Sequence, residues 1–289
     1  MQQTQTVIDL VKAIYPSLNV ELKILKTKGD HIQDSPLAKI GGKGLFTKEL
    51  EQSLVAKNID FAVHSLKDLP VELPSGLTIA AYIKREQPND VLISKGNKPL
   101  CDLPQNGIVA TGSLRRKFQL LRYREDFQIV DLRGNIETRI EKLYKNDWDG
   151  LILAYAALQR LGKTDLISEM IPEDVLYPAV GQGIMAVECR EEPAMRAIFA
   201  ALNDRETEMC AIAERAFLQG LGGGCQVPVG VISIVQDDTL HLSGIYMPED
   251  GKYCIKEELS FDADKPTIAG EKLAEQILNK YWTERIEHG

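Results

Sequence analysis

The sequence predicts an α/β protein followed by a separate small α+β unit, and three observations carry that expectation. A strand, turn, helix phrase recurs through the middle of the chain, the pattern of a parallel sheet with helices on both faces and ligands at the carboxyl ends of its strands. After about Asn203 the phrase gives way to strand-like runs closed by one long helix. Proline and glycine interrupt the periodicity at "KREQPND", from Lys84, and at "YPAVGQG", from Tyr177, which marks two hinges.

In chain order, "TKELEQSLVAKN" reads as a helix with a Thr47 cap, Glu49 and Glu51 in its first turn, and Leu50 and Leu54 on one face. In "IDFAVHSLKDLP" Ile59, Phe61 and Val63 alternate until Lys67, Asp68 and Pro70 end the strand in a polar loop. "GIVATGSLRRKFQLLR" runs through Thr111, Gly112 and Ser113 into a helix with Leu114, Phe118 and Leu121 in register. "FQIVDLRGNIETRIEKL" repeats this, with Arg133, Gly134 and Asn135 at the turn and Ile136, Ile140 and Leu143 on the buried stripe. "GLILAYAALQRLG" closes with Gly162 as a helix C-cap. Farther on, "VGVISIV", "TLHLSGIYM" and "KYCIKEELSF" are strands, "MPEDGK" a hairpin turn, and "KPTIAGEKLAEQILNKYW" a helix aligned on Leu273, Ile277 and Tyr281.

The composition is that of an ordinary globular protein: 289 residues, 44% hydrophobic and 26% charged. A formal net charge of -8 opposes nonspecific binding to nucleic acid or anionic membranes. The longest apolar run, "LILAYAAL", is too short to span a bilayer, and with no signal-peptide pattern the expected location is the cytoplasm. Cys101, Cys189, Cys210, Cys225 and Cys254 form no CxxC, and the four histidines are dispersed. Neither a disulfide framework nor a metal site is expected, and most of the cysteines read as buried small hydrophobes.

Arg115 and Arg116 occupy the first turn of a helix, where the dipole already presents positive charge, an arrangement that a bound anion would reverse. Ser113, free helix amides and paired guanidinium groups together suit a carboxylate or phosphate. Arg133 stands at the equivalent turn of the next unit, with Arg139 along its helix and Arg160 and Arg190 in flanking segments. Solvated surface charge would give the same pattern, but recurrence at equivalent turns favours a pocket. Lys67 and Asp68 fall where an α/β sheet places its working groups, although a plain turn Asp is equally compatible. His64 reads as a packing or hydrogen-bonding residue. "LAKIGGKGLFTKEL" lacks the GxxxxGK[ST] spacing of a nucleotide loop and reads as a flexible flap, with Lys39, Lys43 and the staple Phe46. In "LGGGCQVPVG" Cys225 follows three glycines, as either a buried small residue or an accessible thiol suited to permanent covalent attachment.

Seven blocks in order, "KIGGKGLFTKELE", "DFAVHSLKDLP", "ATGSLRRK", "LRGNIETR", "PAVGQG", "VECR" and "GGGCQVPVG", resemble the porphobilinogen deaminase (hydroxymethylbilane synthase) family and cover nearly the whole chain. The resemblance implies two periplasmic-binding-protein-like lobes and a third small α+β domain: residues 1–83 with 184–202, residues 89–178, and residues 206–289. It implies a transferase of porphyrin and haem biosynthesis that joins four porphobilinogen molecules into hydroxymethylbilane with loss of ammonia. A dipyrromethane cofactor would be held by Cys225 through a thioether, with Lys67, Asp68, Ser113, Arg115, Arg116, Arg133 and Arg139 around it. Arg133, Arg139, Arg160, Arg190 and Gln3 would bind substrate, and Asp68 matches the catalytic carboxylate. A monomer is expected, with porphobilinogen as its small-molecule partner and neither nucleic acid nor membrane.

Family members begin with a short strand and a segment of the type RxGTRxSxLAxxQ, whereas this sequence opens at "MQQTQTVIDLV", with Gln3 aligned to the end of that segment. A misassigned start or a partial sequence is the expected cause, and the chain as written is expected to fold poorly or turn over weakly, because an unpaired edge would remain in the first sheet. The alternatives are a truncated inactive homologue and a noncatalytic anion-binding protein on the same scaffold.

Overall fold

A computed structural model describes residues 2–25, 47–223 and 227–288. The strands among the described residues form three sheets. Helix α1 (Gln2–Ile14) and helix α2 (Lys48–Val55) precede β1 (Phe61–Ser65) and β2 (Leu77–Ile83). The chain then crosses to the second sheet through residues 84–89, and returns through residues 177–184 to β8 (Met185–Arg190), which inserts between β1 and β2. Phe61 and Val63 face an apolar cluster with Val7, Val11 and Phe199. His64 turns the other way, and its Nε2 lies 2.8 Å from Glu188 Oε2 with both side chains buried, the hydrogen-bonding role expected of it.

The second sheet has the order β5-β4-β6-β3-β7, with β3 (Asp90–Ser94), β4 (Ile108–Ala110), β5 (Gln128–Val130), β6 (Gly150–Ala154) and β7 (Glu169–Met170). Helix α3 (Leu114–Tyr123) follows β4, α4 (Ile136–Lys145) follows β5, and α5 (Tyr155–Arg160) follows β6. Gly162 ends that last helix at φ +64°, the C-cap conformation read from the sequence. Leu120 of α3 and Leu143 of α4 pack on opposite faces of the sheet. Of the expected α3 stripe only Leu121 joins that core, because Phe118 packs against Tyr177, Ile245 and Met247 and Leu114 is exposed.

The third sheet, β9 (Val229–Gln236), β10 (Thr239–Tyr246) and β11 (Ile255–Asp262), is an antiparallel meander. After β8 and α6 (Pro193–Ala200), helix α7 (Arg205–Gly220) leads into it, and α8 (Pro266–His288) lies against it, with Phe217, Leu273, Ile277 and Tyr281 in their shared core.

Several expectations need correction. The parallel pairing holds for β4, β5 and β6 alone, since β3 runs antiparallel to β6 and the first sheet is antiparallel among the described strands. Residue periodicity carries no strand direction, which is set by where the chain re-enters a sheet. Thr47 makes no side-chain cap, because its backbone is already helical (φ -111°, ψ -27°) and the hydroxyl does not reach the free amides. The "MPEDGK" connection contains a single helical turn, Pro248–Gly251, in place of a tight hairpin. Of the described cysteines, Cys189 and Cys210 are buried, Cys254 is half-buried and Cys101 is exposed.

Candidate active site

β1 ends at Ser65, and a short 3-10 turn, Leu66–Asp68, brings Lys67 inward and leaves Asp68 exposed. Gln3 on α1 donates from Nε2 to Ser65 Oγ at 2.7 Å, which fixes the N-terminal helix to the end of the strand that carries Asp68. Burial lowers the Lys67 amine to about 8; Asp68 and Asp90 resist that shift, and Arg116 and Arg115 add to it.

Opposite stand the two turns read as an anion receptor. Ser113 caps α3, its Oγ accepting from Arg116 N at 3.5 Å, and Asn135 caps α4, its Oδ1 accepting from Thr138 N at 2.8 Å. A Cβ on Gly112 would come within 2.7 Å of the Leu132 carbonyl, so glycine is what lets the two turns pack together. Between them lies a cavity of about 170 Å³ lined by Gly112, Ser113, Arg116, Leu132, Arg133 and Arg139. Arg139 is braced by a 2.7 Å bond from its Nε to Gly134 O. Burial lowers its proton affinity, Arg116 adds to that and Asp68 opposes it. Arg160 is likewise lowered by burial and opposed by Glu86 and Asp68, so the field of Asp68 reaches both arginines.

Part of the anion that the α3 N-terminus requires is internal. Asp90, fully buried, accepts from Arg115 Nη2 at 2.8 Å and from Arg116 Nη2 at 2.7 Å. Arg115 also donates to Tyr177 O, and Arg116 donates to Ile152 O at 3.0 Å. Arg115 is thereby held behind the cavity and does not line it. The buried Nε atoms of Arg116, Arg133 and Arg160 have no hydrogen-bond partner among the described residues; Arg133 Nε lies 3.5 Å from Asp131 Oδ2.

Arg190 is not brought to this site. It ends β8, at the opposite end of the first sheet from Ser65, which pairs with Met185, a distance on the order of 16 Å along the strand. Its guanidinium binds Leu54 O at 3.1 Å, Ile59 O at 2.7 Å and Asp60 at 2.9 Å, and its Nε binds Glu192 at 3.1 Å. It clamps the α2–β1 connection, and its expected place in substrate binding is withdrawn. Cys225, Lys39, Lys43 and Phe46 lie outside the described residues. The flank of Cys225 is described: Gly222 and Gly223 follow α7 at φ +88° and +39°, a left-handed turn that explains the glycines.

Asp90, Gln182 and Arg215 escaped the sequence reading. Asp90 and Gln182 were visible only as hinge residues. Arg215 sits mid-helix, yet donates to Pro70 O at 2.6 Å and Val71 O at 2.7 Å, tying the third unit to the loop after Asp68. The one available signal was that two adjacent inward arginines demand a buried counter-charge.

A family model described as porphobilinogen deaminase, dipyromethane cofactor binding domain, matches residues 1–197, and one described as porphobilinogen deaminase, C-terminal domain, matches residues 208–279. The chain is 47% identical to a porphobilinogen deaminase of Syntrophomonas wolfei, over 96% of this chain and 91% of that protein. It is 46% identical to one of Pelotomaculum thermopropionicum, over 96% and 89%. Among solved structures it is similar to the periplasmic VFT2 domain of Bordetella pertussis BvgS, at 13% identity and a TM-score of 0.38, over 68% of this chain and 74% of that one. Two family models in sequence along the chain, and near-half identity over almost its full length, leave one conclusion: the chain belongs to the porphobilinogen deaminase family.

Proposed function

We propose that the chain joins four porphobilinogen molecules head to tail and releases the product, hydroxymethylbilane, by hydrolysis. In each condensation the free α carbon of the anchored pyrrole bonds to the aminomethyl carbon of the incoming unit, whose carbon–nitrogen bond breaks, and the α carbon then loses its proton, so that one ammonia is released in balance. The observation that carries the reading is the set of buried Nε–H groups on Arg116, Arg133 and Arg160 that have no hydrogen-bond acceptor among the described residues, although Arg133 and Arg116 keep ion pairs with Asp131 and Asp90. Buried cationic donors without acceptors are costly, so these walls suit a ligand with several carboxylates. Each pyrrole unit carries two, an acetate and a propionate.

The same donor chemistry fits the family's dipyrromethane cofactor, which when bound supplies the anchored pyrrole end from which the chain grows. Ser113, Arg115, Arg116, Arg133, Arg139 and Lys67 would hold it, with Arg115 acting from behind through Asp90, and Cys225 would attach it through a thioether. Arg133, Arg139, Arg160 and Gln3 would orient incoming substrate by its carboxylates. Asp68 accepts hydrogen bonds from pyrrole N–H groups and stabilises the positive charge that develops as ammonia departs.

The reading assigns residues 1–83 with 184–202 to the lobe of Asp68, 89–178 to the arginine lobe and 206–289 to the cofactor-bearing unit. Its support is that each of these units owns one sheet. It further takes the chain as a cytoplasmic monomer that binds neither nucleic acid nor membrane; no helix among the described residues is long and apolar enough to cross a membrane.

Intact mass of the purified protein tests the reading. A gain equal to two porphobilinogen units less two ammonia, absent in Cys225→Ser, is the expected result; a bare mass after incubation with porphobilinogen would sink it. In the loaded enzyme, Asp68→Asn is expected to lower kcat by about 10²–10³-fold with KM little changed, since the arginines hold the substrate.

A further inference from the structure

Gln182 lies in the second hinge segment with 1% of its surface exposed. Its Nε2 donates to Pro88 O at 2.6 Å and to Asp90 Oδ1 at 2.8 Å, and its Oε1 accepts from Lys67 Nζ at 3.4 Å. The three partners come from the first hinge segment, the first residue of β3 and the turn after β1. The amide can face only one way. Flipped, it would set N–H against the ammonium of Lys67 and its carbonyl against a carboxylate and a second carbonyl. Its backbone is held too, the carbonyl accepting from Arg85 Nε at 3.0 Å and the N–H donating to Ala179 O at 2.9 Å.

We propose that Gln182 is a positioning residue of the reaction centre: one side chain sets Lys67 beside Asp68 and sets Asp90, and through Asp90 the Arg115–Arg116 pair. The lysine and arginine walls thereby keep their spacing across both hinge segments. The proposal rests on the deaminase reading of the site. Gln182 touches no reacting atom and acts through Lys67 and Asp90. The charged groups facing Lys67 are Asp68, Arg116, Asp90 and Arg115, and the Gln182 carbonyl is its neutral acceptor. Loss of that dipole disfavours the ammonium form, whereas a carboxylate in its place favours it.

The test reads Lys67 in the holoenzyme without requiring turnover: competitive acetylation across the lysine titration range, with the Lys67 peptide quantified by mass spectrometry. Gln182→Met, similar in length but without hydrogen-bonding groups, is expected to move the Lys67 titration down by roughly half a pH unit. Gln182→Glu is expected to leave it in place or raise it. Should the Met variant fail to fold, Gln182→Asn, which withdraws the amide by one methylene, carries the same expected downward shift. An unchanged or upward shift in the Met or Asn variant, or a downward shift in both that variant and Gln182→Glu, overturns the proposal, because general loosening would move both alike. The expected Lys67 shifts in a protein that does not consume porphobilinogen would support the positioning role and count against the deaminase reading alone.

Discussion

Asp90 holds two guanidinium groups where water does not reach. Burial by itself would raise its proton affinity, but the charges of Arg115 and Arg116 and the hydrogen bonds from Arg116 and Gln182 outweigh it and hold the carboxyl far below the usual carboxylate range. Asp90→Asn removes the charge and leaves two buried arginines uncompensated, so it should cost about 3–5 kcal/mol of stability in urea unfolding at neutral pH. The pH dependence has a definite sign. A depressed folded-state pKa contributes stability that is complete above the unfolded carboxyl value, about 3.9, and is lost as pH falls below it. The wild-type advantage over Asp90→Asn should therefore shrink progressively on acidification below roughly pH 4; an advantage that stays undiminished as pH falls further would refute the ion-pair account.

At the scale of elements, similar side chains serve different ends according to where their strand or helix stops. Arg116 and Arg139 ride on helices whose N-termini point into the cavity, so part of their donor capacity stays open to a ligand. Arg190 rides on a strand that runs away from it, and its donors are taken up by the carbonyls of Leu54 and Ile59 and the carboxylate of Asp60. Arg190→Ala should lose about 1.5–3 kcal/mol of stability, the range for hydrogen bonds to a charged group. The KM for porphobilinogen should stay near the wild-type value. A large rise in KM at unchanged stability would return Arg190 to the substrate site.

Across the whole molecule, the third unit is bonded to both hinge segments. Glu214 on α7, fully buried, accepts from Arg85 of the first hinge segment, from Gly181 N of the second at 2.7 Å, and from Ser233 of β9 at 2.6 Å. Tyr177 joins the other side, its hydroxyl 2.9 Å from Ser243 and its backbone bonded to Gln119. Glu214→Ala removes the fully buried carboxylate partner of the part-buried Arg85 guanidinium and of Gly181 N and Ser233, and the expected loss is about 3 kcal/mol, read as a lower urea midpoint. A midpoint equal to wild type would mean that the units are held together elsewhere. Arg215 adds a further tie, from α7 to the carbonyls of Pro70 and Val71 in the loop after Asp68.

Local pattern by itself determined the elements: the helix after Ser113, the helix after Asn135, the Gly162 cap, the strands and helix after Asn203 and the breaks at both crossings between sheets follow from periodicity and turn chemistry that neighbours along the chain enforce. The motif blocks likewise determined the family and named Asp68, Lys67, Arg116, Arg133 and Arg139. Only the tertiary structure decided that β8 enters the first sheet between β1 and β2, that Arg190 faces away from the site, and that Asp90 and Gln182 stand behind Arg116 and Lys67. Strand direction and counter-ion choice depend on residues far apart in sequence meeting in space. A carboxylate at position 90 becomes the partner of a guanidinium at position 116 only once two hinge crossings have brought their surroundings together and excluded the water that would otherwise screen them.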